Sequence, residues 1–136
     1  MLFDLANLNT TSACDKAEEI ELKHPVTNVP LGMFLSVIGK DSKEFREHTR
    51  RRINERLRRD AMATKRGKDP EVRTIESIED ENIELLVLCT KGWRGMIMNG
   101  DDLPFTRENL IKVFKEYTWI YDQANENIGA LDNFLK

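Results

Sequence analysis

EEIELKHPVTNVPLGMFLSVIG, residues 18–39, decides how the rest of the chain is read. In its first part Ile20 and Leu22 alternate with Glu19, Glu21 and Lys23. That period of two predicts a half-buried strand, ended by Pro25. VTNVP, residues 26–30, supplies turn residues. LGMFLSVIG, residues 31–39, then predicts a second strand closed by Gly39, and the two together a β-hairpin. In that second strand Leu31, Met33, Leu35 and Val37 share one face, while Phe34 and Ile38 lie on the other, broken by Ser36. Both faces are apolar and both require cover. A lone hairpin is marginal in water. Helices of the same chain can cover one face; the other face, or the open edge, is expected to be covered by another copy of the chain. Leu31, Met33, Phe34, Leu35, Val37 and Ile38 are therefore the candidate self-association residues.

Upstream of the hairpin, residues 1–17 are polar and irregular and read as a flexible N-terminal arm; residues 18–136 suit a single domain. Downstream the hydrophobic period changes to that of helices. Ser42 is a candidate N-cap. Phe45, Thr49, Ile53, Leu57 and Ala61 then recur every four residues, a narrow apolar stripe that runs to a stop at Gly67. Residues 68–74 read as a loop. Ser77 with Asp80 can cap a helix through about residue 91, with Ile83, Leu86 and Val87 facing the core and Leu85 and Leu88 widening that face. Thr106 caps the next helix, striped by Leu110, Val113, Phe114 and Tyr117. Thr118 can cap a last one, striped by Ile120, Ala124, Ile128, Leu131 and Leu135. Residues 92–110, GWRGMIMNGDDLPFTRENL, join two helices as a packed corner: Asn99 to Asp102 make a tight turn, and Phe105 with Leu110 has the spacing of a hydrophobic staple. The expected fold class is α+β and mainly α-helical, an N-terminal β-hairpin followed by about four helices.

The residues that could carry chemistry are sparse. His24 and His48 stand in no nucleophile or metal-ligand spacing, and Cys14 and Cys89 are 75 positions apart, without a partner motif. Cys89 sits in the apolar run LLVLC and reads as a small core residue. Asp101 and Asp102 belong to the turn. No phosphate-binding loop, Gly-x-Ser-x-Gly or Cys-x-x-Cys is present, so no enzyme activity, metal or cofactor is expected. Nothing approaches 18 consecutive apolar residues, and the first 19 residues lack a basic start and a long apolar core, so neither a membrane span nor a signal peptide is expected.

Charge is the more informative signal. The net charge is −3, but 12 of the 21 Lys and Arg and 5 of the 24 Asp and Glu fall within residues 40–68, leaving 9 and 19 elsewhere: +7 against −10. Such asymmetry points to a charged partner or to association of opposite faces. Residues 46–59 hold seven arginines: Arg46, Arg50, Arg51, Arg52, Arg56, Arg58 and Arg59. Phosphate contact needs little more, so a small nucleic-acid-binding regulator is one reading. Glu44, Glu47, Glu55 and Asp60 lie among the arginines, and no aromatic residues interleave for base stacking. A solvated face, or docking on an acidic face of another subunit, is the other reading. Arg50, Arg51, Arg56 and Arg59 are the candidate partner-binding residues, with Trp93 and Trp119 as candidate interface anchors that otherwise read as core.

The order GW, NGDDLPFTRENL and YTWIYDQANENI resembles the tail assembly chaperones of long-tailed bacteriophages, particularly the lambdoid, non-contractile (siphovirus-type) kind. The residues that carry the resemblance are Trp93, the Asp101–Asp102 turn, Leu103 to Asn109, and Trp119 with Ile120. KHPVTNVPLGMFLSVIGKDS also looks like the family's hairpin, with a His-Pro-x-Thr turn at His24 to Thr27. The resemblance covers about residues 18–134; Thr118 departs from it, since relatives tend to have proline there. It implies a non-enzymatic, self-associating chaperone in the host cytoplasm. Such a protein binds the long helical tape-measure protein, keeps it soluble until tail-tube protein polymerises around it, and is absent from the mature virion. It also implies a longer form made by translational frameshifting.

Overall fold

The computed structural model of the chain describes residues 4–67, 74–130 and 134. A short 3₁₀ turn (Leu5–Leu8) and helix α1 (Thr10–Cys14) lead into strands β1 (Glu18–Lys23) and β2 (Pro30–Val37). Helices α2 (Lys43–Lys65) and α3 (Ile75–Cys89) follow, then β3 (Thr90–Arg94), a small hairpin of β4 (Ile97–Met98) and β5 (Asp101–Asp102), and helices α4 (Arg107–Glu116) and α5 (Thr118–Ile128). The protein is an α+β, mainly helical fold with a β-hairpin near its N-terminus.

The hairpin forms as its alternation dictates. Ile20 and Leu22 are buried and Glu21 faces its partner Phe34 across the pair. His24 organises the turn: its Nδ1 accepts from the Val26 and Thr27 amides, both at 3.1 Å, and Asn28 takes a positive φ of 64°. Where β2 starts, Leu31 to Met33 bulge out opposite Leu22, with Gly32 at φ +72°.

The cover of β2 differs from the sequence expectation. β3 pairs antiparallel with β2, setting Leu35 opposite Trp93 and Phe34 opposite Arg94, so β2 is the central strand of a three-stranded sheet ordered β1-β2-β3. Its edge is closed by the chain itself. The sequence hid this strand because Thr90–Arg94 is short, contains Gly92, and follows a helix directly; the apolar run before it reads on as helix. Leu35 and Val37 are fully buried and Ile38 nearly so, while Leu31, Met33 and Phe34 are half-buried. On the outer face the Arg94 guanidinium lies 3.8 Å from the centre of the Phe34 ring and pairs with Glu19 at 2.6 and 3.1 Å. Of the six candidate self-association residues, Leu35, Val37 and Ile38 are thus core, Leu31, Met33 and Phe34 keep part of their surface in water, and β2 has a strand of its own chain on each side. At the β1 edge, Gln123 of α5 accepts from the Lys23 amide at 2.9 Å and donates to the Lys23 carbonyl at 2.8 Å.

Part of the segment read as an N-terminal arm packs on the domain. Cys14 is fully buried, the Gly39 amide donates to its carbonyl at 2.9 Å, Thr10 donates to Asp41, and Asp15 accepts from the Lys43 amide at 2.7 Å. Short polar side chains tie this segment down where hydrophobicity gives no signal.

Ser42 and Thr106 cap α2 and α4 as their positions predict, accepting from the Phe45 and Asn109 amides. Two other caps shift. Thr74, not Ser77, starts α3, accepting from the Ser77 amide at 3.0 Å, and α5 begins without a side-chain cap at Tyr117. α3 buries Ile83, Leu86 and Cys89; α4 buries Leu110, Val113 and Phe114; α5 buries Ile120, Ala124 and Ile128. Tyr117 is exposed rather than part of the α4 stripe. Residues 68–73 of the expected loop, and Leu131 and Leu135 of the last stripe, lie outside the described residues.

The corner at residues 92–110 is a hairpin with a packed tryptophan. Asn99 (φ 54°) and Gly100 (φ 86°) are both left-handed, as a two-residue Asn-Gly hairpin turn requires. The Trp93 indole donates to the Leu103 carbonyl at 2.9 Å and meets Phe105 edge to face at 5.1 Å. Trp93 and Trp119 are both partly buried against the core, which fits the core reading of each.

Candidate functional site

Helix α2 is unlike the other long helices in that no residue along its 23 positions is buried. At 1.5 Å per residue it is about 34 Å long, against about 22 Å for α3. It runs antiparallel to α3, held at Lys91–Glu44 and Arg52–Glu81, each 2.6 Å. Phe45, His48, Thr49 and Arg52 in its first half are half-buried, and Asp60 and Ala63 in its second. Past Arg52 the apolar stripe faces water, with Ile53 55% and Leu57 62% exposed, and Met62 exposed as well. The sequence periodicity locates this stripe correctly; the assumption that a stripe implies packing fails here. Ile53 and Leu57, at i and i+4, thus form an exposed apolar strip along one face of the helix.

Arginines frame the stripe. Arg50, Arg51, Arg56, Arg58 and Arg59 are exposed, and Arg46 donates to Thr11 at 3.1 Å. The candidate residues Arg50, Arg51, Arg56 and Arg59 therefore share one solvent-facing helix with Ile53 and Leu57. Trp93 and Trp119 do not join them: one sits in the β3 corner and the other on α5.

Sequence reasoning missed the opposite number of this helix. Glu76, Glu79 and Asp80 of α3 and Asp122 of α5 line a groove of about 760 Å³, whose apolar wall is Ile83, Phe114 and Tyr121. Lys115 is the basic residue of that lining, 3.4 Å from Asp80. Burial, then the charges of Asp122 and Glu79, push the Tyr121 phenol up from its ordinary pKa. Ile75 and Ile78 stand exposed on the same turns of α3. The acidic excess outside residues 40–68 was the sequence signal; tertiary contact between α3 and α5 was needed to gather it.

Among the described residues the histidine and cysteine side chains do not converge on one site. His24 serves the hairpin turn. His48 sits among Arg52, Glu81 and Glu84, and desolvation, then Arg52 and Arg51, lower its pKa. Among the described residues no three His, Cys, Asp or Glu side chains are grouped to hold a metal. Cys14 and Cys89 are free thiols and fully buried. Burial pushes the Cys89 thiol from 9.0 up to about 12 and raises that of Cys14. Both thiols should therefore resist iodoacetamide at pH 8 in the native protein and react promptly in denaturant. The sign of the linkage follows: the unfolded thiol ionises first, so Cys89 stabilises the fold fully below pH 9 and this contribution is lost as pH rises towards about 12. Urea titrations at pH 7, 9 and 11 check it; a midpoint that rises with pH would contradict it.

No protein-family model, no curated protein and no solved structure matches the chain. No described helix is long and apolar enough to cross a membrane.

Proposed function

We propose that this protein is a non-enzymatic assembly chaperone of the phage-tail kind. It holds a long, helical tape-measure protein soluble in the host cytoplasm until tail-tube protein replaces it, and it leaves before the virion is mature. The observation that carries the reading is α2, a long helix that keeps Ile53 and Leu57 in water between exposed arginines. A protein that served only itself would gain by burying them, at about 1.5–3 kcal/mol for a side chain of this size. A client with an apolar, acidic helical face gains that burial on binding. The resemblance of residues 18–134 to tail assembly chaperones supports the same reading.

The test is co-expression with the longest helical protein encoded nearby, followed by co-purification. The wild-type chain is expected to bring that client into the soluble fraction. The double variant Ile53→Asp, Leu57→Asp is expected to lose the client while keeping its thermal transition, because substitutions at such exposed positions shift stability by only about 0.5 kcal/mol. A client that stays insoluble with the wild-type chain sinks the proposal. The competing reading, a nucleic-acid regulator, has the exposure of Arg50, Arg51, Arg56, Arg58 and Arg59 in its favour, against Glu47, Glu55 and Asp60 on the same helix. It requires binding to DNA or RNA that weakens steeply between low and moderate salt.

A further inference from the structure

We infer that the outer half of α2 from one copy of this protein seats in the acidic groove of a second copy. The inference rests on the preceding reading of α2 as a partner-binding helix, and names what occupies that helix when no client is present.

Charge complementarity selects the occupant. Arg50, Arg51, Arg52, Arg56, Arg58 and Arg59 against Glu55 give residues 50–59 a charge of +5. Glu76, Glu79, Asp80 and Asp122 against Lys115 give the groove lining −3. Apolar surface matches too. Ile53 and Leu57 are exposed on the helix, and the groove offers Ile83, Phe114 and Tyr121 as its wall with Ile75 and Ile78 exposed beside it. Each surface thus supplies what the other lacks: an apolar centre with a charged rim of opposite sign, the composition of a protein interface. A phosphate backbone would satisfy the arginines but would leave Ile53 and Leu57 in water.

Within one molecule α2 reaches one rim of the groove and not its floor. His48 and Arg52 share a hollow with Glu76 and Asp80, whereas no α2 residue lines the groove itself, which opens between α3 and the α4–α5 junction. Every copy therefore carries one knob and one socket on different surfaces. Such a contact is heterologous: it repeats head to tail and closes as a ring or extends as a filament. Half of it is ionic and exposed, so it weakens as salt rises past the point where the Debye length falls below roughly 8 Å.

The experiment uses two complementary variants of the whole chain and light scattering after size exclusion. The helix variant carries Arg50→Glu, Arg56→Glu and Arg59→Glu; the groove variant carries Glu76→Arg, Glu79→Arg and Asp122→Arg. All six positions are exposed, and circular dichroism with thermal melting checks that both variants fold. The wild-type chain is expected to form multimers of three or more copies that shrink in 1 M NaCl. Each variant is expected to be a monomer, and an equimolar mixture is expected to restore multimers, since the native helix of one meets the native groove of the other and the two charge-reversed surfaces, glutamate against arginine, attract at the next contact. A monomeric wild-type chain, a multimer indifferent to both variants, or a mixture that stays monomeric overturns the inference, as does α2 found to bind RNA while the chain remains monomeric. Client capture is read separately. A groove variant that is monomeric yet still solubilises the helical client upholds both readings; a wild-type multimer that captures no client upholds this one and removes the chaperone.

Discussion

Leu35→Asp is expected to abolish cooperative unfolding in urea and to leave the chain in inclusion bodies. Leu35 is fully buried at the centre of the three-stranded sheet, between Ile20 on β1 and Trp93 on β3. Truncating a leucine there costs about 2–5 kcal/mol from lost burial and the cavity left behind. A buried, unpaired carboxylate adds several kcal/mol more. The sum reaches the whole stability of an ordinary domain, about 5–15 kcal/mol. The neighbouring change Phe34→Asp is expected to leave a folded protein, destabilised by no more than about 1–3 kcal/mol. Phe34 is half-buried beneath Arg94, and an aspartate there would face that guanidinium. Urea titration followed by tryptophan fluorescence separates the two. Equal loss in both variants would mean that the outer face of the sheet is as closed as the inner one.

Gly95→Ala carries the second large effect. Gly95 has φ +73°, and a Cβ added to it would lie 2.2 Å from the carbonyl oxygen of Gly32. The left-handed conformation costs a residue with a Cβ about 1–2 kcal/mol. The clash is with backbone, so β3 and the β2 bulge must separate, which overpacking data put at about 1–3 kcal/mol more. Gly100→Ala is the control. Its φ is +86° but no atom lies within 4 Å of the added Cβ, so only the conformational cost applies. Gly95→Ala is expected to lower the urea midpoint by about twice as much as Gly100→Ala. If the two are equal, the contact between Gly32 and Gly95 is not tight in solution.

Periodicity and end signals alone determined much of this protein. The period of two in residues 18–23 gave β1, the caps Ser42 and Thr106 gave the starts of α2 and α4, and Asn-Gly gave the turn at 99–100. These are local: each depends on residues within a few positions of itself, so each is written in the order of the chain. The charge imbalance between residues 40–68 and the rest was equally plain. Tertiary structure decided what those elements touch. Thr90–Arg94 is a strand because β2 offers it an edge, and that edge of β2 is taken by β3 of the same chain. Cys14 is core because Gly39 leaves room for its sulfur. The stripe of α2 is exposed because α3 meets the flank of α2 through Arg52 and leaves Ile53 and Leu57 in water, and the acidic groove exists because Asp122 and Glu79, 43 positions apart, line one hollow. A hydrophobic pattern states which side chains must leave water; which surface receives them is set by contacts between distant segments, and only the folded chain brings those together.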